Sequence, residues 1–80
     1  MNTNSAALAQ ILTKDYASAK RTLDAVAAPD AMTSYLKAIA AARTGDTSAA
    51  KTALQKAISL DSSLAEYAAK DMEFILTGVK

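Results

Sequence analysis

Cysteine and histidine are both absent from this 80-residue chain. Without cysteine there are no disulfides and no thiolate metal sites. Without histidine, the commonest zinc ligand and the usual general base at neutral pH are missing. No apolar run approaches the roughly 20 residues that cross a bilayer as a helix. These absences predict a protein with no metal, no cofactor and no insertion into a membrane.

Strong charge of either sign is also lacking. Nine basic and eight acidic residues give a net charge of +1. The two signs are interspersed along the chain, which is typical of solvated helix faces. Because no strong field would attract a polyanion, we expect no nucleic-acid partner. Hydrophobic residues make up 51% of the chain, but many are alanine, which favours helices and buries little area.

Apolar residues recur at spacings of three and four and never alternate strictly, which predicts helices and no strands. Turn and cap signals divide the chain into five predicted helices, at residues 4–13, 16–27, 31–43, 47–60 and 63–76. Pro29 and Asp30 separate the second helix from the third, and Gly45 and Asp46 separate the third from the fourth. The predicted apolar stripes of the first four helices are Leu8, Ile11 and Leu12; Ala19, Leu23 and Val26; Met32, Leu36 and Ile39; and Ala50, Leu54, Ala57 and Ile58.

The sequence nearly repeats itself after 31 positions, since "TKDYASAKRTL" begins at Thr13 and "TGDTSAAKTAL" begins at Thr44. When residues 5–30 are aligned with residues 36–61, eight of the 26 pairs are identical. The identical pairs are Ala7/Ala38, Ala9/Ala40, Thr13/Thr44, Asp15/Asp46, Ala19/Ala50, Lys20/Lys51, Leu23/Leu54 and Asp30/Asp61. A period of this length with two helices in each period predicts a stack of helical hairpins.

The second unit resembles the tetratricopeptide repeat family. The residues that carry the resemblance are Ala38 at the small position of the first helix, Gly45 and Asp46 at the turn, and Ala50, Leu54 and Ala57 in the second helix. The first unit departs further, because Lys14 replaces the turn glycine and the unit is about three residues short. The resemblance covers about residues 5–62. The resemblance implies an all-α fold. The architecture it implies is a right-handed α-solenoid in which five helices are arranged as antiparallel helix hairpins.

This organisation predicts a single domain over residues 1–80. Unit one occupies about 4–28, unit two about 30–61, and a closing helix about 63–76. We expect the chain to be a fragment of a longer protein. Alanine-rich repeats of this style are similar to those of long bacterial proteins that are exported or associated with the envelope, although style alone leaves the compartment open.

The resemblance also implies a groove that binds a protein or peptide, lined by the first helix of each hairpin. The matching residues in the second unit are Met32, Tyr35, Ile39 and Arg43. Chaperone-binding members of the family use an asparagine at the place of Ile39 to clamp a carboxylate tail, so no such clamp is expected here. The alternative is that Tyr35 and Ile39 pack against neighbouring helices, while Arg43 is solvated near a helix C-terminus, where a cation is favoured.

The last predicted helix is apolar over an arc of about 200° at 100° per residue, wider than one packing seam needs. The residues in this arc are Leu64, Tyr67, Ala68, Met72, Phe74, Ile75 and Leu76. We therefore expect Tyr67 and Phe74 to meet another repeat unit, a second copy of the chain, or a ligand. The alternative is that these two aromatic residues wrap the edge of a small core.

No arrangement of residues points to catalysis. There is no glycine-rich phosphate loop, and Asp15, Asp46 and Asp61 stand where helix capping explains them. The sequence therefore predicts that the protein is not an enzyme but a protein–protein interaction module. The alternative is an architectural spacer or capping segment of a longer repeat protein, with no ligand of its own.

Overall fold

The computed structural model describes residues 2–70, which form five α-helices and no strand. The helices are α1 (Asn4–Leu12), α2 (Tyr16–Asp24), α3 (Ala31–Arg43), α4 (Thr47–Leu60) and α5 (Leu64–Lys70). The all-helical class is therefore confirmed for this part of the chain. The predicted continuation of the last helix to residue 76 lies outside the described residues.

The prediction that the second helix continues to Ala27 is wrong, because α2 ends at Asp24. The backbone N–H of Ala25 donates to two carbonyls of the last turn, and the N–H of Val26 closes a further turn on Leu23. The chain must then reach Pro29 in a non-helical conformation, since proline disfavours helix in the residue before it. Both helices of the first unit are shorter than their counterparts, since α1 and α2 have 9 residues each where α3 has 13 and α4 has 14.

The turn between the two helices of each unit has the same hydrogen bonds in both copies. Thr13 and Thr44 are the C-caps of α1 and α3, and each hydroxyl donates to two carbonyls of the preceding turn. Asp15 and Asp46 are the N-caps of α2 and α4, and each carboxylate accepts the backbone N–H of the third helical residue. The identical residues of the repeat therefore specify the same turn twice.

The core consists of two apolar clusters that both include residues of α3. The first cluster joins α1, α2 and α3 through Ala7, Ile11, Ala19, Leu23, Leu36 and Ala40. The second cluster joins α3, α4 and α5 through Tyr35, Ala38, Leu54, Ala57, Leu64 and Ala68. Ile39 packs against both clusters. α3 is therefore the helix that holds the two halves of the described chain together.

Most residues of the predicted stripes of α2 and α4 are buried, but Val26 lies beyond the end of α2 and is only half-buried, and the α1 stripe is largely exposed. Ala19 and Ala50 are fully buried, as predicted. In α1, however, Leu8 is 44% exposed and Leu12 is 74% exposed, so their assignment to the core is wrong. The buried residues of α1 are Ile11, as predicted, and Ala7, whose methyl side chain lets the helix backbones approach closely.

A polar network joins the start of α1 to the start of α3. Asp30 is the N-cap of α3 and forms a capping box with Thr33, whose hydroxyl accepts the N–H of Asp30 at 3.0 Å. The Thr33 hydroxyl donates to Oδ1 of Asn4 at 2.8 Å, and Nδ2 of Asn4 donates to Oδ1 of Asp30 at 3.1 Å. The backbone hydrogen bond from Thr33, assisted by the one from Asn4, holds the pKa of Asp30 below its ordinary value of 3.8.

This pKa shift predicts a component of acid sensitivity. Because folding lowers the pKa of Asp30, its carboxylate stabilises the fold above the unfolded-state value of 3.8, and this contribution is lost as the pH falls through the lower folded-state pKa. The variant Asp30→Asn should therefore be less stable than the wild type at neutral pH, and the difference should shrink as the pH falls below 3.8. Urea unfolding over a pH series measures this difference. A difference that stays constant into acid would contradict the assigned role of the charge.

Two turn residues have a left-handed backbone conformation, and we expect substitutions at the two positions to change the free energy of unfolding in opposite directions. The backbone φ is +65° at Lys14 and +81° at Gly45, a region that is unstrained for glycine and costs other residues about 1–2 kcal/mol. A Cβ at Gly45 would meet no atom within 4 Å, so the effect of a substitution there on stability comes from backbone strain and not from a steric clash. We expect Gly45→Ala to lower the free energy of unfolding by about 1 kcal/mol. We expect Lys14→Gly to raise it by about 0.5 kcal/mol, because glycine also loses more chain entropy on folding.

The control for this pair is Lys14→Ala, which keeps a Cβ and should leave stability nearly unchanged. Urea unfolding of the three variants gives the comparison. A loss of stability in Lys14→Gly would show that the lysine side chain itself stabilises the turn.

Candidate interaction surface

The four predicted groove residues of α3 differ in their surroundings. Met32 is 43% exposed, whereas Tyr35 is buried within the second cluster. Ile39 is half-buried between the two clusters. Arg43 is exposed at the last position of α3. Tyr35 and Ile39 thus pack against neighbouring helices, as the alternative interpretation expected, and offer little surface to a partner.

Arg43 is oriented by a residue from the first unit. Its guanidinium carbon lies 5.9 Å from the centre of the Tyr16 ring, and Nη1 donates to the tyrosine oxygen at 3.2 Å. An exposed cation–π contact of this kind contributes about 0.5–1 kcal/mol. The contact links the end of α3 to the start of α2.

Met32 lies at an open cavity between the start of α3 and the junction of α4 with α5. The cavity, which we call the Met32 cavity, has a volume of about 470 Å³. Its lining residues are Pro29, Asp30, Ala31, Met32, Leu60, Asp61 and Leu64. Met32 and Leu60 are both exposed, with 57% of Leu60 accessible. The cavity therefore offers apolar side chains to solvent at a place where three helices end or begin.

Two carboxylates flank these apolar side chains. Asp30 and Asp61 are an identical pair of the repeat, and each uses Oδ1 for its hydrogen bonds to neighbouring residues. Oδ1 of Asp61 accepts the backbone N–H of Ser63 at 3.1 Å and its hydroxyl at 2.6 Å. Within residues 2–70, Oδ2 of neither aspartate has a hydrogen-bond partner or an ion pair. Both carboxylates can therefore still accept a bond from a cationic group.

Tyr67 and Phe74 were predicted to form an interface on the last helix. Tyr67 is 65% exposed on α5, while Leu64 and Ala68 of the same helix are buried. Phe74 lies outside the described residues. The exposed side of Tyr67 is therefore the part of this predicted surface that can be placed.

Sequence reasoning did not identify Leu60 as a surface residue. Leu60 is the last residue of α4, so it extends beyond the buried stripe of that helix into the turn before α5. Its position next to Asp61 was the available signal, because a residue at a helix end has fewer neighbours to cover it. Leu8 and Leu12 were missed for another reason, since their size suggested the core.

Residues 2–70 contain no group of three or more acidic side chains placed to hold a metal ion. No helix in the same range is long and apolar enough to cross a membrane.

Comparisons with protein-family models, with curated proteins and with solved structures find no match to this chain. The likeness to tetratricopeptide repeats therefore continues to rest on the motif residues.

The different burial of Met32 and Tyr35 predicts different costs of substitution. Tyr35→Ala should lower the free energy of unfolding by about 3 kcal/mol or more, because it leaves a cavity in the second cluster. Met32→Ala should change it by less than about 1 kcal/mol, because that side chain is partly solvated already. Urea unfolding measures both values. Tyr35→Leu should fall between the two, and equal losses for Tyr35→Ala and Met32→Ala would contradict the assigned burial.

Proposed function

We propose that the chain is a non-catalytic protein–protein interaction module built as an α-solenoid of the tetratricopeptide type. The arrangement is supported by how the first helix of one unit meets the hairpin before it. Leu36 and Ala40 of α3 join the cluster formed by the first hairpin, and Leu64 and Ala68 of α5 join the cluster formed by the second. Each pair has i, i+4 spacing, which presents one face of a helix.

The hairpin residues in the same clusters as these two pairs occupy equivalent positions in the 31-residue repeat. The first hairpin contributes Ala7 and Leu23, and the second contributes Ala38 and Leu54, which are identical residues 31 positions later. This correspondence supports a similar placement of α3 on the first hairpin and of α5 on the second. Such a regular succession of helices is the packing rule of a solenoid.

The observation that carries the binding proposal is that Met32 and Leu60, both exposed, line one cavity between two carboxylates. Apolar side chains gathered in a concave place, with polar groups at the edge, are typical of sites that anchor a partner's side chain. Asp30 and Asp61 would favour a basic residue next to that anchor. The partner is therefore a protein segment that carries a large apolar residue beside lysine or arginine.

Selection from a displayed peptide library tests this proposal. The peptides that bind the wild-type chain should be enriched in a large apolar residue adjacent to lysine or arginine. A Met32→Ser, Leu60→Ser double variant should bind them at least about tenfold more weakly, a loss of about 1.4 kcal/mol. Asp61→Asn should weaken the binding of peptides with a basic residue more than that of peptides without one.

Leu12→Ser is the matched control, because Leu12 is also an exposed leucine but does not line the cavity. It should leave peptide affinity unchanged. If the selected peptides bind the double variant as well as the wild type, or if Leu12→Ser reduces binding equally, the Met32 cavity is not the site.

A second candidate function is an architectural spacer or cap within a longer repeat protein. It is favoured by the engagement of three predicted groove residues in internal contacts, since Tyr35 and Ile39 pack in the clusters and Arg43 contacts Tyr16. A spacer would yield no specific peptides in the selection. Its free energy of unfolding would instead rise when flanking repeats are joined to it, because each added interface contributes to stability.

A further inference from the structure

A second open cavity, of about 370 Å³, lies between α2, α3 and α4. It shares no lining residue with the Met32 cavity. We call it the lysine groove, after the side chains around it. The residues that determine its chemistry are Lys20 and Asp24 of α2, Lys37 and Ala41 of α3, and Ala53 and Lys56 of α4.

The lysine groove combines an apolar floor with excess positive charge. Ala41 is buried and Ala53 half-buried, so their methyl groups form a floor that presents no charge. Nζ of Lys37 pairs with Oδ1 of Asp24 at 3.3 Å. Lys20 and Lys56 have no ion pair within residues 2–70. Two ammonium groups therefore remain available to an anion that enters the groove.

This concentration of lysine is not a simple consequence of the repeat. Among the three lysines, Lys20 has an identical counterpart in Lys51, whereas Ala6 and Ala25 stand 31 positions before Lys37 and Lys56. Lys37 also lies five residues after Met32, which is roughly 140° around the helix. The charge is therefore particular to this groove, on a different side of α3 from the Met32 cavity.

We propose that the lysine groove binds a small organic carboxylate, with its anionic head at Lys20 and Lys56 and a short apolar chain on the floor of Ala41 and Ala53. The site goes beyond the proposed protein-binding function. A cavity of this volume falls at the lower end of small-molecule pockets. The apolar floor favours a carboxylate with an alkyl chain over inorganic phosphate, which has nothing to place there.

Titration of the ¹⁵N-labelled chain with butanoate, hexanoate and phosphate at constant ionic strength tests the proposal. Hexanoate should shift the amide signals of Ala41 and Ala53. It should bind roughly tenfold more tightly than butanoate, since each buried methylene strengthens transfer from water about fourfold. Phosphate should bind more weakly than hexanoate. Higher salt should weaken hexanoate binding, because the ammonium groups are partly solvated.

Matched substitutions then separate the groove from general attraction to lysine. Lys20→Gln should weaken hexanoate binding severalfold. Lys51→Gln removes the same charge from the equivalent position of the second unit, outside the groove, and should leave binding unchanged. Asp24→Asn should strengthen binding, because it removes the carboxylate that opposes the ligand. Thermal unfolding of each variant verifies that the fold is intact.

Three results would overturn the proposal. One is an equal effect of Lys20→Gln and Lys51→Gln, which would mean attraction to surface charge alone. Another is equal affinity for butanoate and hexanoate, which would show that the apolar floor takes no part. The third is the absence of any shift at Ala41 and Ala53 at millimolar hexanoate.

Discussion

The rest of this structure depends on the close packing of α3. It packs against α1 and α2 on one side and against α4 and α5 on the other. α3 supplies Leu36 to the first cluster and Tyr35 to the second. Ala7 and Ala38, both fully buried, keep these contacts tight. Alanine buries little apolar area but loses no side-chain entropy. A chain of this size has a small free energy of unfolding. Its stability therefore depends on the low entropy cost of burying alanine and on the apolar area of a few leucines.

Alanine contacts specify the alignment of packed helices poorly, and directional hydrogen bonds between side chains provide that alignment. The hydroxyl of Thr22 donates to Oε1 of Gln10 at 2.8 Å and aligns α2 with α1. The bond from Thr33 to Asn4 aligns α3 with α1 in the same way. Among residues 2–70, no buried side-chain nitrogen or oxygen lacks a partner. The polar bonds therefore fix the positions of the helices without leaving an unsatisfied group in the core.

The features that were predictable from the sequence are those that depend on local chemistry or on the repeat. Asp30 and Asp46 cap helices because a carboxylate at that place satisfies free N–H groups, and the buried state of Ala50 follows from the repeat and its helical spacing. The exposure of Leu8 was not predictable, because the tertiary contacts choose which face of α1 is covered. The lysine groove and the Met32 cavity were missed for the same reason. Each brings together helices whose residues lie far apart in the sequence, such as Lys20 and Lys56.

The fold also separates charges that the sequence intersperses. Asp30 and Asp61 lie at the Met32 cavity, and lysines surround the groove between α2 and α4. The net charge of +1 conceals this arrangement because it sums over both places. Salt screens exposed charges over about 8 Å at physiological ionic strength, so an approaching molecule responds to the local charge and hardly to the total. A balanced composition therefore leaves room for small charged groups of either sign, each at its own side of α3.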